Sequence, residues 1–203
     1  PLAEKLGRIL TALSTGDSLT VVELEVAGEI ADKDVKSLQL AALKGVFTDV
    51  VSDQVSYVNA PVLAEQRGVE SRLTTTAESP AYRNTVTVKG ATSNGTQLSV
   101  AGTLTGPKQV QKVVGIDGYE LEVPLAEHLL VFRYADRPGV IGTIGRVLGD
   151  AGVNIAGMDV SRQVEGGEAL ALLTLDAALP AGVAEELGQA IGASKVAGID
   201  LED

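Results

Sequence analysis

The stretch from His128 to Leu201 constrains the fold more than any other part of this chain. His128 to Tyr134 is a short, largely apolar run bounded by a turn, which reads as a strand. From Pro138 to Ala151 apolar residues recur at helical spacing, placing Ile141, Ile144, Val147, Leu148 and Ala151 on one face. Strands are read again at Asn154 to Arg162 and, after a Glu165-Gly166-Gly167 turn, at Ala169 to Asp176. A second helical period, Pro180 to Ile191, aligns Val183, Leu187, Ala190 and Ile191, and Val196 to Leu201 closes with a strand. The order is βαββαβ, the ferredoxin-like arrangement: one antiparallel sheet with both helices on one side.

Within this frame, polar side chains gather where the backbone turns. Tyr134 and Asp136 lie at the end of a strand and beside a helix start; Asn154 opens the next strand after Gly152. A helix N-terminus offers N–H groups to a carboxylate, and an acidic side chain suits an ammonium. Together Tyr134, Asp136 and Asn154 read as a pocket for a small zwitterion. Each also has a plainer reading. Asp136 suits an N-cap, Asn154 a turn, and Tyr134 a half-buried strand position. Arg137 reads as a pocket residue or, the favoured reading, simply as a solvated charge. Gly139, Gly142 and Gly145 share one helix face, where another backbone could approach closely.

The first 125 residues read differently. Leu2 to Leu13 is a helix, Leu19 to Val26 a strand and Asp34 to Gly45 a second helix. Pro61 sits in the first turn of a third, which Gly68 closes. Strands follow at Val69 to Thr75, Asn84 to Val88, Leu98 to Leu104 and Tyr119 to Val123, with Asn94-Gly95 as a hairpin signal. The chain is thus α+β throughout. Residues 1–125 form an α/β domain with an antiparallel-rich sheet, and 126–203 the βαββαβ domain.

Composition removes several function classes. The formal net charge of −11 argues against nucleic acid and against an anionic membrane surface. No apolar run approaches the ~18 residues of a membrane span, and no signal peptide opens the chain. The absence of Cys excludes disulfides and thiolate chemistry, and fits a reducing cytoplasm. His128 is the single histidine, so neither a Ser-His-Asp nor a Cys-His centre is expected. No His/Cys/carboxylate cluster has metal-ligand spacing, and G-x-G-x-x-G and P-loop patterns are missing. Neither a catalytic nor a metal site is therefore expected.

The strand-end polar pair, Arg137-Pro138-Gly139-Val140 and Gly152-Val153-Asn154-Ile155 resemble the ACT domain, a small-molecule sensing module of amino-acid metabolism. The upstream segments Leu43-Lys44-Gly45-Val46-Phe47, Tyr57-Val58-Asn59-Ala60-Pro61, Glu65-Gln66-Arg67-Gly68-Val69 and Ser99-Val100-Ala101-Gly102-Thr103-Leu104 resemble the intervening domain of long-form D-3-phosphoglycerate dehydrogenases. The resemblance implies the regulatory half of such an enzyme, with NAD-binding and substrate domains upstream and no cofactor in this chain. It implies L-serine as feedback effector at an ACT–ACT interface, touching Tyr134, Asp136, Pro138, Gly139, Val140, Asn154 and Ile155, and self-association as dimer or tetramer. It also implies a second anion site in the intervening domain, for which Lys112 matches but Gly118 to Pro124 supplies no basic residue. Two alternatives stand beside it: an oligomerisation module without effector, and the equivalent region of an L-serine dehydratase.

Overall fold

The computed structural model describes residues 1–202, in two compact units that divide between Gly118 and Tyr119. In the first unit, helices α1 (Leu2–Leu13), α2 (Lys36–Thr48) and α3 (Ala60–Gln66) accompany strands β1 (Leu19–Gly28), β2 (Glu70–Thr76), β3 (Asn84–Thr92), β4 (Gln97–Thr105) and β5 (Val110–Ile116). Within this unit the strand order is β2-β1-β3-β4-β5. Only the β1–β2 pair is parallel among these, so the expected antiparallel-rich sheet is present.

Helix α1 puts Leu6, Ile9, Leu10 and Leu13 into the core and packs on β3 and β4. Its partner α2 approaches closely enough for backbones to touch. A Cβ on Gly7 would collide with the carbonyl of Ala42, and one on Gly45 with the carbonyl of Glu4. Glycine is the residue that permits this contact. Thr11 Oγ1 donates to Val46 O at 2.8 Å, across the same seam. The opposite face of the sheet is polar: Lys89 pairs with Glu25 at 2.6 Å, and Thr74 Oγ1 donates to Glu23 at 2.7 Å.

The second unit contains β6 (Tyr119–Pro124), β7 (His128–Ala135), α4 (Val140–Asp150), β8 (Ile155–Arg162), β9 (Glu168–Leu175), α5 (Val183–Ile191) and β10 (Lys195–Asp200). From β7 onward this is the βαββαβ order that the periodicity predicts. The four-stranded sheet runs β10-β7-β9-β8, every pair antiparallel. Leu130, Phe132, Tyr134, Ala171 and Leu173 meet Ile144, Leu148, Leu187 and Ile191 of the helices in one core. Strand β6 lies against β8 and β9. Its Glu122 N–H donates to Asp159 Oδ2 at 2.9 Å, and the Arg133 guanidinium sits 5.6 Å from the Tyr119 ring centre.

Both helices start later than the sequence periods suggest. Helix α4 begins at Val140 rather than Pro138, and α5 at Val183 rather than Pro180. The reason is the same in each case. Gly139 has φ 89° and Gly182 has φ 85°, a left-handed conformation that cannot continue a right-handed helix.

A charge cluster fastens β9 to β7 and to the entry of β10. Arg133 Nη2 donates to Glu168 Oε2 at 2.7 Å, and Ser194 Oγ donates to Glu168 Oε1. The Ser194 hydroxyl first, and Arg133 second, hold the Glu168 carboxyl below the usual carboxylate range. A lowered folded-state value stabilises the fold above the unfolded pKa, and that stabilisation is lost as pH falls through the folded one. Glu168 is 39% exposed in its side chain, so solvent screening limits the effect to about 1 kcal/mol or less. Glu168→Gln is expected to flatten the acid limb of stability below about pH 4. Urea unfolding of both proteins across that range measures it.

Candidate functional site

The polar residues singled out by sequence sit at two ends of the second unit's sheet. At the first end, β7 finishes at Ala135 and the chain turns toward α4. Tyr134 is 2% exposed, its ring 5.7 Å from that of Phe132 and inside the core. Burial first, and the charge of Asp136 second, push the phenol above its ordinary value. Tyr134 is therefore neutral and rigid beneath this end of the sheet, more deeply set than a half-buried strand residue.

Asp136 does not cap the helix. The N-cap position belongs to Gly139, and no side chain bonds the helix N-terminus there. Instead the Asp136 N–H donates to Gly167 O at 3.0 Å, and its Oδ2 accepts from Arg162 Nη1 at 2.9 Å. Ala169 pairs with Tyr134 on one side and Arg162 on the other, so Arg162 reaches Asp136 across the end of β9. Arg162 has no motif signal in the sequence. It is identified only by strand register, which places the last residue of β8 beside the end of β7.

Arg137 is not simply a solvated charge. Its Nη2 donates to Ile191 O at 3.1 Å, at the C-terminus of α5. A guanidinium there satisfies an orphan carbonyl and opposes the negative end of the helix dipole. Pro138 and Gly139 are exposed, while Val140 turns into the core. Gly142 and Gly145 line an outer face of α4, with nothing near the position of an added Cβ.

At the other end, Asn154 precedes β8 and is exposed. Its Nδ2 donates to Asp176 Oδ2 at 2.6 Å, and its carbonyl accepts from the Asp176 N–H at 3.1 Å. Ile155 is half-buried beside it. Register fixes the separation. Ala135 pairs with Glu168 at one end of β9, and Ile155 pairs with Leu175 at the other. Seven residues of strand span about 23 Å at ~3.3 Å each. Tyr134, Asp136 and Arg162 are thus brought together in one chain; Asn154 and Ile155 are not brought to them.

Lys112 lies on β5 in the first unit, paired with Thr103 on the polar face of that sheet. The stretch that follows contributes Glu120 and Glu122 to β6 rather than cations.

Chemically, the Asp136–Arg162 pair offers one acidic and one basic group at a strand–helix turn. Asp136 could receive the ammonium of a zwitterion in place of the Arg162 guanidinium. Among the described residues, no helix is long and apolar enough to cross a membrane.

Comparison with known proteins adds an independent line. A family model described as the D-3-phosphoglycerate dehydrogenase intervening domain matches residues 1–117, and an ACT domain model matches residues 128–192. The D-3-phosphoglycerate dehydrogenase of Mycobacterium leprae is 42% identical over 198 residues, covering 97% of this chain and 37% of that protein. That of Mycobacterium tuberculosis is 40% identical over 201 residues, covering 98% and 38%. That of Methanocaldococcus jannaschii is 34% identical over 200 residues, covering 98% and 37%. The chain spans a little over a third of the length of the curated relatives it matches.

Proposed function

The chain belongs to the D-3-phosphoglycerate dehydrogenase family, with its intervening and ACT domains in order, and from that premise we propose that it senses L-serine for that enzyme. The parent protein would oxidise 3-phosphoglycerate with NAD in domains outside this chain, as the first step of cytoplasmic L-serine synthesis. This region would bind the end product and lower turnover.

One observation carries the reading: the two polar ends of the ACT-domain sheet are about a strand length apart. A ligand the size of serine cannot touch Asp136 and Asn154 of the same chain. It can touch Asp136 of one chain and Asn154 of another. Strand β8 supports such pairing, because it is the edge of its four-stranded sheet and Val160 on it is exposed. An unpaired edge is a template for a second copy. A two-fold axis would then repeat the contact and build two equivalent sites. In this arrangement Asp136 takes the serine ammonium, Asn154 bonds the ligand from the facing chain, and the N–H groups near Gly139 and Val140 receive the carboxylate.

For serine to regulate, it must bind one arrangement of the assembly better than another. Asp136 and Asn154 are already partnered in the free chain, by Arg162 and Asp176. That favours a second reading, in which both are structural and the domain only assembles subunits. A thermal-shift scan over the amino acids separates the two. L-serine alone is expected to raise Tm, with stabilisation growing to about 2.7 kcal/mol at a hundred times its Kd. A flat response across all amino acids supports the assembly module.

A further inference from the structure

In the free chain Asp136 and Asn154 are each held by a partner, and the two partners carry opposite charges. Arg162 Nη1 donates to Asp136 Oδ2 at 2.9 Å, and Asn154 Nδ2 donates to Asp176 Oδ2 at 2.6 Å. An ammonium that takes Asp136 frees the Arg162 guanidinium. A ligand that takes the Asn154 amide frees the Asp176 carboxylate. We propose that, on effector binding, Arg162 of one chain and Asp176 of a second copy pair with each other across the seam between two β8 strands. This rests on the reading of the site as a serine site shared by two chains, and adds what binding does to their interface.

Strand register supplies the geometry. Arg162 is the last residue of β8, and Asn154 stands just before its first, Ile155. Two copies of an edge strand related by a two-fold axis run antiparallel, so the end of β8 in one chain lies beside its start in the other. Arg162 then faces the Asn154–Asp176 end of the second copy. Within one chain the same pairing is out of reach. Arg162 stands opposite Ala169 on β9, and Leu175, the neighbour of Asp176, lies six residues further along that strand, about 20 Å at ~3.3 Å each.

Both groups can change rotamer without disturbing the core: the Arg162 side chain is 55% exposed, and Asp176 is exposed. The exchange keeps every charge paired. One ion pair within a chain gives way to the ammonium on Asp136 and to a new ion pair between chains. The new pair exists only in the bound assembly. That is the differential contact an effector needs in order to favour one arrangement over another. Serine thereby fastens the two ACT domains by more than its own contacts.

Calorimetric titration of L-serine into the 203-residue chain and into Arg162→Gln, Asp176→Asn and the double variant tests the exchange. Both substitutions keep a hydrogen-bonding side chain at an exposed position. Asp176→Asn is expected to weaken serine binding about two- to fivefold where Arg162 is present, the range of an exposed ion pair, and to change nothing in the Arg162→Gln background. The same factor in both backgrounds overturns the exchange and leaves the serine site in place. A wild-type chain that takes up no serine overturns the serine reading, and the exchange with it.

Discussion

Replacing Gly45 by valine is expected to destabilise the first unit by more than about 3 kcal/mol. The argument rests on which atoms are in the way. A Cβ at Gly45 meets the backbone carbonyl of Glu4, and one at Gly7 meets the backbone carbonyl of Ala42. A flexible side chain could yield, but a helix backbone yields only if the helices separate. Separation of α1 from α2 would expose Leu6, Ile9 and Leu10 of α1 together with Ala42, Leu43 and Val46 of α2. It would also break the Thr11–Val46 hydrogen bond. Gly142 is the internal control. It lies in α4 with open space around an added Cβ, so Gly142→Ala should gain about 0.5–1 kcal/mol from helix propensity. Urea unfolding of both variants gives opposite signs if close backbone contact, rather than glycine itself, decides the outcome.

The second large effect concerns the ligand. Asp136→Ala removes the carboxylate of the β7–α4 turn and leaves Arg162 without that partner. Loss of a charge-assisted hydrogen bond costs about 1.5–3 kcal/mol, so serine affinity should fall roughly 10- to 150-fold. Asn154→Ala should cost about 1–3 kcal/mol of serine binding if its amide bonds the ligand. It also releases Asp176, an exposed group that water can solvate, so the fold itself should change little. Calorimetric titration of L-serine into each variant reads both values. Unchanged affinity in either one removes that residue from the site.

The βαββαβ order was legible because the two helices of the second unit keep a clean helical period, while β7 and β9 are short apolar runs bounded by turns. The first unit was harder for physical reasons. Strand β2 is exposed along its whole length, so burial leaves no alternation and nothing in it announces a parallel partner. Strand β5 was not foreseen. A register shift at Ala101 and Gly102 lets consecutive residues Val113 and Val114 both be buried, which breaks the period of two. The roles of Gly7 and Gly45 carry no signal in the sequence, since a close helix contact is a property of two segments and not of one.

The candidate site was legible in the same uneven way. Asp136 and Asn154 stood out because turns concentrate polar chemistry at predictable places. Their partners did not, because Arg162 and Asp176 reach them through strand register. Arg137 was misjudged for a related reason: the carbonyl it caps belongs to Ile191, the end of a distant helix.

The central claim is that one serine site takes Asp136 from one chain and Asn154 from another. The direct test mixes Asp136→Ala and Asn154→Ala chains in equal amounts, lets subunits exchange, and titrates L-serine. Each variant alone should bind weakly, because every site lacks one contact. With random two-fold pairing, half of the dimers are mixed and each carries one intact site, so about a quarter of the wild-type sites should return at wild-type affinity. If exchange is complete and no high-affinity binding returns, the two residues do not meet across chains and the account is contradicted.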